Sequence, residues 1–304
     1  MKTLIKGFLA MSEIKPIEWL WEPLLPKNCI SILASRGGVG KSGFALWLAC
    51  LLGSEGKSIL YLDAERTGFH IKQRVEDWNL DISNVTFYMD SCDDGGATTC
   101  APATLVEMAQ LVKESRPDLV IIDSLTALSH GMDLNRREVV AQYMKELTKI
   151  ATIYNTGILL LAHTNKKSSD DIPILDSISG SGAITDLARS AMVMDEFNAD
   201  GTRIINQVKI NLTAKSEPLL FKITPTGIED IRFMSDSSRP SGTKAERLRI
   251  AALALLEQGL NKKDVRAHLK DAGGSLTECS RAIDWASSKL GIVWDGDTIA
   301  SGGK

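Results

Sequence analysis

The chain has 304 residues, of which 44% are hydrophobic and 24% charged, with a formal net charge of −3. This length accommodates one large and one small domain with a substantial core, and the near-balanced charge excludes a strongly basic protein that binds nucleic acid through its overall charge. No apolar run reaches the roughly 18 residues of a membrane helix, and five cysteines without zinc-ligand spacing favour free thiols in a reducing cytoplasm.

The first two-thirds of the chain alternate between strand and helix patterns. Short runs rich in Ile, Leu and Val predict buried parallel strands at residues 29–34, 58–63, 119–123 and 157–162. Helical spacing of apolar residues occurs at residues 43–52, 71–78, 103–115 and 136–154. Further strands at residues 192–194, 203–212 and 219–224 are expected to extend one edge with antiparallel members. The pattern predicts an α/β fold with a mostly parallel sheet.

The last 60 or so residues form a separate pattern. A polar stretch at residues 235–242 predicts a linker between a domain at 1–234 and a smaller one at 243–304. Helices are predicted at residues 244–257, 262–271 and 276–290, with Asn261 and Ser275 as N-caps of the last two. Residues 292–299 predict a hairpin with Asp295-Gly296 at its turn. Three helices and a hairpin indicate a winged-helix-like domain.

The glycine-rich segment between the first strand and the first helix predicts a triphosphate site. Its sequence is Ser35-Arg36-Gly37-Gly38-Val39-Gly40-Lys41-Ser42. Glycines let backbone N–H groups converge on phosphate oxygens, and the helix N-terminus adds partial positive charge. Lys41 is expected to neutralise the β and γ phosphates, and Ser42 to bind magnesium. Ser35 replaces the usual first glycine, but the rest of the loop predicts binding of ATP with Mg²⁺.

Polar residues at three other strand ends complete the predicted site. Asp123 follows four buried aliphatic residues and is expected to hold magnesium directly or through water. Because Ser124 rather than a glutamate comes next, the base that activates water must lie elsewhere. Glu65 follows residues 58–63 and should share the carboxyl edge of the sheet with the glycine loop. His163 is placed at the same edge to contact the γ-phosphate.

Two basic pairs are candidates for contact with a nucleic-acid backbone. Lys166-Lys167 stand at the start of a polar stretch, and Arg136-Arg137 are a weaker candidate of the same kind. The interpretation that Lys166-Lys167 are solvent-exposed and bind nothing fits the sequence equally well.

Taken in order, these segments resemble the RecA-like ATPase family, which includes RepA, the hexameric replicative helicase of broad-host-range plasmids, with DnaB and KaiC as more distant relatives. The resemblance covers residues 15–225. The segments that carry it are Trp19-Leu20-Trp21-Glu22-Pro23-Leu24, residues 37–42, Ala64-Glu65, Asp123-Ser124-Leu125, His163-Thr164-Asn165-Lys166 and Ser179-Gly180-Ser181-Gly182-Ala183. Together they are more specific for the fold than for helicase activity.

The resemblance implies a hexameric ring with ATP bound between subunits and single-stranded DNA in a central channel. Glu65 would match the catalytic glutamate of the family and His163 its γ-phosphate sensor. Helicase relatives also carry a Lys-x-Arg pair that reaches the neighbour's nucleotide. Lys209 fits the lysine, but Asn211 stands where the arginine is expected. Lys215 or Arg189 is a possible substitute for that arginine.

Three functions fit these residues. The leading hypothesis is a DNA-dependent ATPase, a replicative helicase of a plasmid, phage or mobile element. The alternative, favoured by Asn211, is an ATPase switch that recruits a protein partner, as a helicase loader or regulator does. A small-molecule kinase fits less well, because Glu65 without a substrate lid suits water activation. The tail domain binds DNA through residues 276–290 in one interpretation and a protein in the other.

Overall fold

The computed structural model describes residues 16–65, 67–89, 104–129, 132–164, 178, 180, 182–197, 201–234, 244–271, 274–292 and 294–299. The predicted linker 235–242 and the Lys166-Lys167 pair lie outside this part of the chain. Contacts divide the chain into two compact units, Met1–Phe233 and Met234–Lys304. None of the described helices is long and apolar enough to cross a membrane.

The first unit alternates strands and helices along the chain. The strands are β1 Trp19–Trp21, β2 Leu25–Pro26, β3 Ile30–Ser35, β4 Ile59–Asp63, β5 Val85–Tyr88, β6 Leu119–Asp123, β7 Gly157–His163, β8 Ser190–Glu196, β9 Thr202–Ile210, β10 Leu219–Thr224 and β11 Gly227–Phe233. The helices are α1 Lys41–Ser54, α2 Gly68–Asp77, α3 Leu105–Ser115, α4 Leu125–Leu128, α5 Arg137–Ile153 and α6 Gly182–Leu187.

A nine-stranded sheet in the order β11-β10-β9-β8-β3-β7-β6-β4-β5 organises this unit. Strands β8, β3, β7, β6, β4 and β5 run parallel to one another, and β9, β10 and β11 continue the sheet beyond β8 in antiparallel pairs. The predicted α/β fold with a mostly parallel sheet is therefore confirmed. The sequence did not predict the short edge strand β5, because only Val85 of its four residues is buried.

Helices cover both faces of the sheet because its central strands bury side chains on both sides. On one face, Ile32 and Ile122 pack with residues of α3, α5 and α6. On the other face, Tyr61 and Phe221 pack with residues of α1 and α2, and the ring centroids of Phe221 and Phe44 are 4.8 Å apart. This second face carries the glycine loop and its helix.

The second unit has three helices, α7 Lys244–Glu257, α8 Lys262–Asp271 and α9 Leu276–Leu290, and a hairpin of β12 Trp294–Asp295 and β13 Thr298–Ile299. The helix bounds agree with the sequence. Asn261 Oδ1 accepts a hydrogen bond from the Asp264 N–H (2.9 Å), and Ser275 forms a capping box with Glu278. The predicted Asp295-Gly296 turn is wrong by one residue: Asp295 pairs with Thr298, so Gly296-Asp297 form the turn. The winged-helix assignment stays a prediction.

Candidate functional site

The glycine loop between β3 and α1 is open on one side and packed on the other. Gly38 (φ 84°) and Gly40 (φ 109°) adopt left-handed conformations that favour glycine. A Cβ on Gly37 or Gly38 would meet no described atom within 4 Å. A Cβ on Gly40 would lie 2.3 Å from Ile223 Cδ1. The loop therefore presents its Gly37-Gly38 side to open space and rests its other side on β10.

The first turn of α1 is prepared for an anion. It has no acidic residue, and among the described residues no side chain caps it. Its N–H groups are therefore available to donate to phosphate oxygens, and the helix dipole favours negative charge there. Lys41, the first helical residue, is 6% exposed, and Ser42 is half-buried beside it.

Arg203 on β9 holds the packed side of the loop. Its Nε donates a hydrogen bond to the Val39 carbonyl (2.9 Å), and its Nη2 lies 3.4 Å from a carboxylate oxygen of Glu196. The antiparallel part of the sheet thus supports the loop from behind. Sequence reasoning missed this contact, because it joins residues 164 positions apart and no local pattern marks it.

Two buried aspartates end neighbouring strands beside the loop. Asp63 of β4 and Asp123 of β6 lie opposite each other in the parallel register, at 0% and 1% exposure. Asp123 Oδ2 accepts a hydrogen bond from the Tyr61 hydroxyl (2.9 Å). Asp63 Oδ1 accepts bonds from the N–H (2.9 Å) and hydroxyl (3.0 Å) of Thr67. Among the described residues, the second oxygen of each carboxylate has no hydrogen-bond partner. The sequence singled out Asp123 but treated Asp63 only as a strand residue.

The environment of Asp123 fits a magnesium ion. Burial raises the pKa of Asp123, while the nearby Ser42 hydroxyl, the hydrogen bond from Tyr61 and the charge of Lys41 act to lower it. Burial, and then the charge of Asp123, raise the pKa of Tyr61 well above its usual value, so this hydroxyl stays a donor. An unpartnered carboxylate oxygen near a serine hydroxyl is a hard oxygen donor set of the kind that Mg²⁺ prefers. Asp123 and Ser42 are therefore suited to hold the ion.

Glu65, Ser124 and His163 meet where β4, β6 and β7 end. The Ser124 hydroxyl donates a hydrogen bond to Glu65 Oε1 (2.5 Å), and His163 Nε2 lies 3.6 Å from the same oxygen. The Glu65 N–H donates to the Asp123 carbonyl (3.1 Å), which fixes the backbone beside the aspartate. The structure thus brings together Glu65 and His163, which the sequence singled out separately. Ser124 entered the sequence argument only as the residue that is not a glutamate.

Lys209 lies near the amino ends of the parallel strands, whereas the glycine loop lies at their carboxyl ends. Because β9 runs antiparallel to β8, Arg203 is near the loop and Lys209 is at the far end, paired with Ala191. The Lys209 ammonium donates to the carbonyls of Thr185 (2.6 Å) and Asp186 (3.0 Å) in the last turn of α6. Lys209 therefore lies away from the glycine loop of its own chain, and its contact with the nucleotide of a neighbouring subunit stays a prediction.

Neither substitute for the missing arginine lies near the loop of its own chain. Arg189 precedes β8 and Lys215 follows β9, which places both at the edge where Lys209 lies. Of the candidate DNA contacts, Arg137 forms an ion pair with Asp186 (2.7 Å), and Arg136 is exposed at the N-cap position of α5. A role of this arginine pair in DNA binding stays a prediction.

Comparison with known proteins gives one family match and several distant relatives. A family profile described as an AAA domain matches residues 2–169. The DNA repair protein RadA of Aquifex aeolicus (strain VF5) is 20% identical over 227 residues, which are 72% of this chain and 46% of RadA. A probable plasmid replicative DNA helicase of Chlamydia trachomatis is 24% identical over 190 residues, 53% of this chain and 41% of the helicase. The chain thus spans less than half the length of these relatives.

Two solved structures share the fold. The ATPase domain of G40P superposes with a TM-score of 0.58 at 12% identity, covering 74% of this chain and 95% of that domain. A KaiC-like protein of Pyrococcus horikoshii OT3 superposes with a TM-score of 0.50 at 18% identity, covering 68% of this chain and 91% of that protein. At these identities the likeness supports the α/β fold of the first unit.

Proposed function

The chain belongs to the AAA domain family of P-loop ATPases, and from this premise we propose that it hydrolyses ATP at the carboxyl edge of its sheet, with Glu65 as the base. The observation that carries the proposal is the meeting of Glu65, Ser124 and His163 on the same sheet edge as an open glycine loop.

Binding is assigned to the loop and the start of α1. The N–H groups of residues 36–42 and the Lys41 ammonium hold the phosphates, since the loop is open at Gly37-Gly38 and the helix start is uncapped. Ser42 and Asp123 hold magnesium, which when bound neutralises charge on the β and γ phosphates. Arg203 and Ile223 keep the loop in place from behind.

Hydrolysis is assigned to Glu65. A water oxygen attacks the γ-phosphorus, the bond from that phosphorus to the ADP oxygen breaks, and the water proton passes to the Glu65 carboxylate. Ser124 fixes Oε1, which leaves Oε2 for the water. His163, 3.6 Å from Oε1, links the γ-phosphate position to Glu65.

The test is Glu65→Gln in the full chain. We expect nucleotide affinity to stay within about twofold of wild type, and the turnover rate to fall by roughly 100-fold or more. Affinity is measured with a fluorescent nucleotide and turnover by phosphate release. Retained hydrolysis in the variant would remove Glu65 from the role of base, whereas a wild-type chain that binds no nucleotide would overturn the ATPase proposal itself.

The work that ATP drives is proposed to be DNA-dependent, in a ring of subunits. Two relatives, a probable plasmid replicative DNA helicase and a DNA repair protein, support DNA as the partner. In such a ring, Lys209 or another cation would have to reach a neighbouring copy, and Arg136 and the Lys166-Lys167 pair are the proposed DNA contacts. Turnover that is unaffected by single-stranded DNA would count against this function, as would a monomeric mass with ATP present.

The alternative is an ATPase switch that recruits a protein. It is favoured by Asn211, which stands where a trans-acting arginine is expected, and by Lys209, whose ammonium is engaged within its own chain. Without a trans arginine, the transition state lacks a major source of charge stabilisation. A slow turnover that is insensitive to DNA, together with nucleotide-dependent capture of a protein partner, would support the switch over the helicase.

A further inference from the structure

We propose that Asp63 is a second carboxylate of the magnesium site, acting beside Asp123. The inference rests on the proposed ATPase function and deepens it, because it assigns a buried residue that the sequence pattern did not connect with the metal. It depends on the position of Asp63, on what each of its oxygens contacts, and on the charge around it.

Asp63 faces the same space as Asp123. The two residues are opposite each other in the register of β4 and β6, and adjacent strands lie about 4.8 Å apart. Side chains alternate along a strand, so Asp63 shares a sheet face with Tyr61 two positions earlier. The Tyr61 hydroxyl reaches Asp123 Oδ2 at 2.9 Å, which shows that side chains on this face of β4 reach Asp123. Asp63 lies two residues after Tyr61 and is therefore closer to the strand ends beside the glycine loop.

The two oxygens of Asp63 have different surroundings. Oδ1 accepts both hydrogen bonds from Thr67, which anchors the start of α2. Oδ2 is buried and has no hydrogen-bond partner in the part of the chain that the structure describes. Gly68 leaves room beside it, since even a Cβ at that position would lie 3.8 Å from Oδ2. An anchoring role for α2 therefore accounts for Oδ1 alone and leaves Oδ2 without a role.

The charges of Asp63 and Asp123 favour a bound cation. Both carboxylates are almost completely buried, and among the described residues no Lys, Arg or His side chain forms an ion pair with either of them. Lys41 acts on Asp123 at longer range. Two neighbouring buried carboxylates, each with a free oxygen, are destabilising unless a cation compensates for them. Mg²⁺ is commonly held by one or two carboxylates together with phosphate oxygens.

The experiment compares how magnesium affects nucleotide affinity in wild type and in Asp63→Asn. The dissociation constant of a fluorescent ADP is measured across free Mg²⁺ concentrations from excess EDTA to millimolar. In wild type we expect affinity to rise with Mg²⁺. In Asp63→Asn we expect unchanged or tighter binding in EDTA, and a magnesium-dependent gain that is smaller by roughly tenfold.

Two controls separate the metal role from anchoring and from simple charge loss. Thr67→Val removes the hydroxyl that bonds Oδ1 but keeps the carboxylate, so its magnesium dependence should match wild type. Asp118→Asn removes the same charge just before the start of β6, away from the glycine loop, and should also keep the wild-type magnesium dependence. If Asp63→Asn proves unstable, Asp63→Ser removes the charge with a smaller side chain, and thermal unfolding shows which variant is folded.

Wild-type magnesium dependence in a folded charge-removing variant of Asp63 would overturn the proposal. So would an equal loss in Thr67→Val, since Asp63 would then act through α2. A wild-type chain that binds no nucleotide with magnesium is a different result, because it would overturn the proposed ATPase function before Asp63 is considered.

Discussion

The amino ends and the carboxyl ends of the parallel strands lie at opposite edges of the central sheet. These two edges use charged residues differently. At the edge where β4 and β6 begin, Asp118 accepts hydrogen bonds from the Lys27 ammonium (3.0 Å) and the Ser58 N–H (3.1 Å). Lys209 donates to two carbonyls at the same edge. At the opposite edge, Asp63 and Asp123 each keep one buried carboxylate oxygen without a partner. Asp118 and Lys209 thus have partners within the chain, whereas Asp63 and Asp123 are the carboxylates that we propose hold a magnesium ion.

What distinguishes Asp63 and Asp123 is their charge, and not only an oxygen without a hydrogen-bond partner. Asn28 Oδ1 and Ser31 Oγ, near the start of β3, are also buried without a hydrogen-bond partner. These groups are neutral, and leaving one unsatisfied costs about 1–3 kcal/mol. A buried carboxylate without a counter-charge costs several kcal/mol. Among the described residues, a buried carboxylate together with an unpartnered oxygen distinguishes Asp63 and Asp123 from these neutral groups.

The largest effect that tests this comparison is expected for Lys41→Met at the loop. Removing the ammonium takes away the charge that faces the phosphates, so we expect hydrolysis to fall by roughly 100-fold or more. The matched change at the other edge, Lys209→Met, should leave nucleotide affinity within about twofold and lower thermal stability instead. Phosphate release measures hydrolysis, fluorescent-nucleotide titration measures affinity, and thermal unfolding measures stability. Equal losses of nucleotide affinity in both variants would erase the distinction between the edges.

Ser124→Ala is expected to have the next largest effect. Loss of the hydroxyl frees Glu65 Oε1, so we expect kcat to fall by roughly tenfold while nucleotide affinity stays unchanged. Ser129→Ala is the control, because that hydroxyl donates to the Thr126 carbonyl and does not contact Glu65. Steady-state turnover together with nucleotide titration checks both variants. A fall in affinity without a fall in kcat would show that Ser124 acts on binding instead.

Arg203→Leu tests the support behind the loop. Without the bond to the Val39 carbonyl, the loop should be less well ordered, and we expect nucleotide affinity to fall by roughly fivefold. Arg232→Leu removes an equal charge from β11, where the guanidinium donates to the nearby Asp230 carbonyl, and should bind nucleotide as wild type does. If the two variants bind equally well, the loop keeps its shape without Arg203.

The smallest effect is expected for Asp118→Asn, and it concerns stability alone. Burial acts to raise the pKa of Asp118, but the bonds from Lys27 and Ser58 and the nearby lysine charges hold it below its usual value. A lowered folded-state pKa gives stability above the unfolded pKa that is lost as pH falls through the folded value. We therefore expect a loss of about 1 kcal/mol at pH 7, which disappears as pH falls through the lowered pKa of Asp118. Denaturant unfolding at several pH values measures it, and a pH-independent difference would contradict the cause.

The sequence predicted the strands that are buried on both faces, because an unbroken aliphatic run between turn residues is typical of a central strand in a parallel sheet. The bounds of β6 and β10 agree with it. It also placed Glu65 at the site, since Ser124 after Asp123 moved the base to the end of a neighbouring strand. Magnesium and ATP follow from the loop and the family, whereas the roles of individual residues are proposals.

Features that depend on tertiary contacts were missed for identifiable reasons. Asp63 ends a strand, and only the register of β4 against β6 shows that it faces Asp123. Arg203 contacts a carbonyl far away in the chain. Lys209 fitted a spacing in the family, and only the antiparallel direction of β9 shows that it lies away from the glycine loop of its own chain. In each case the missing information was strand order or direction, which the local sequence does not contain.

Because Gly40 packs against Ile223, the end of β10 is expected to respond when phosphates bind to the glycine loop. Ordering of the loop around phosphates should reduce the local opening of the strand ends that touch it. Amide hydrogens near residues 203 and 223 should then exchange with solvent deuterium more slowly when nucleotide is bound. In sequence, these residues are separated from the glycine loop by more than half the length of the chain. Hydrogen exchange would thus detect occupancy in the unlabelled protein.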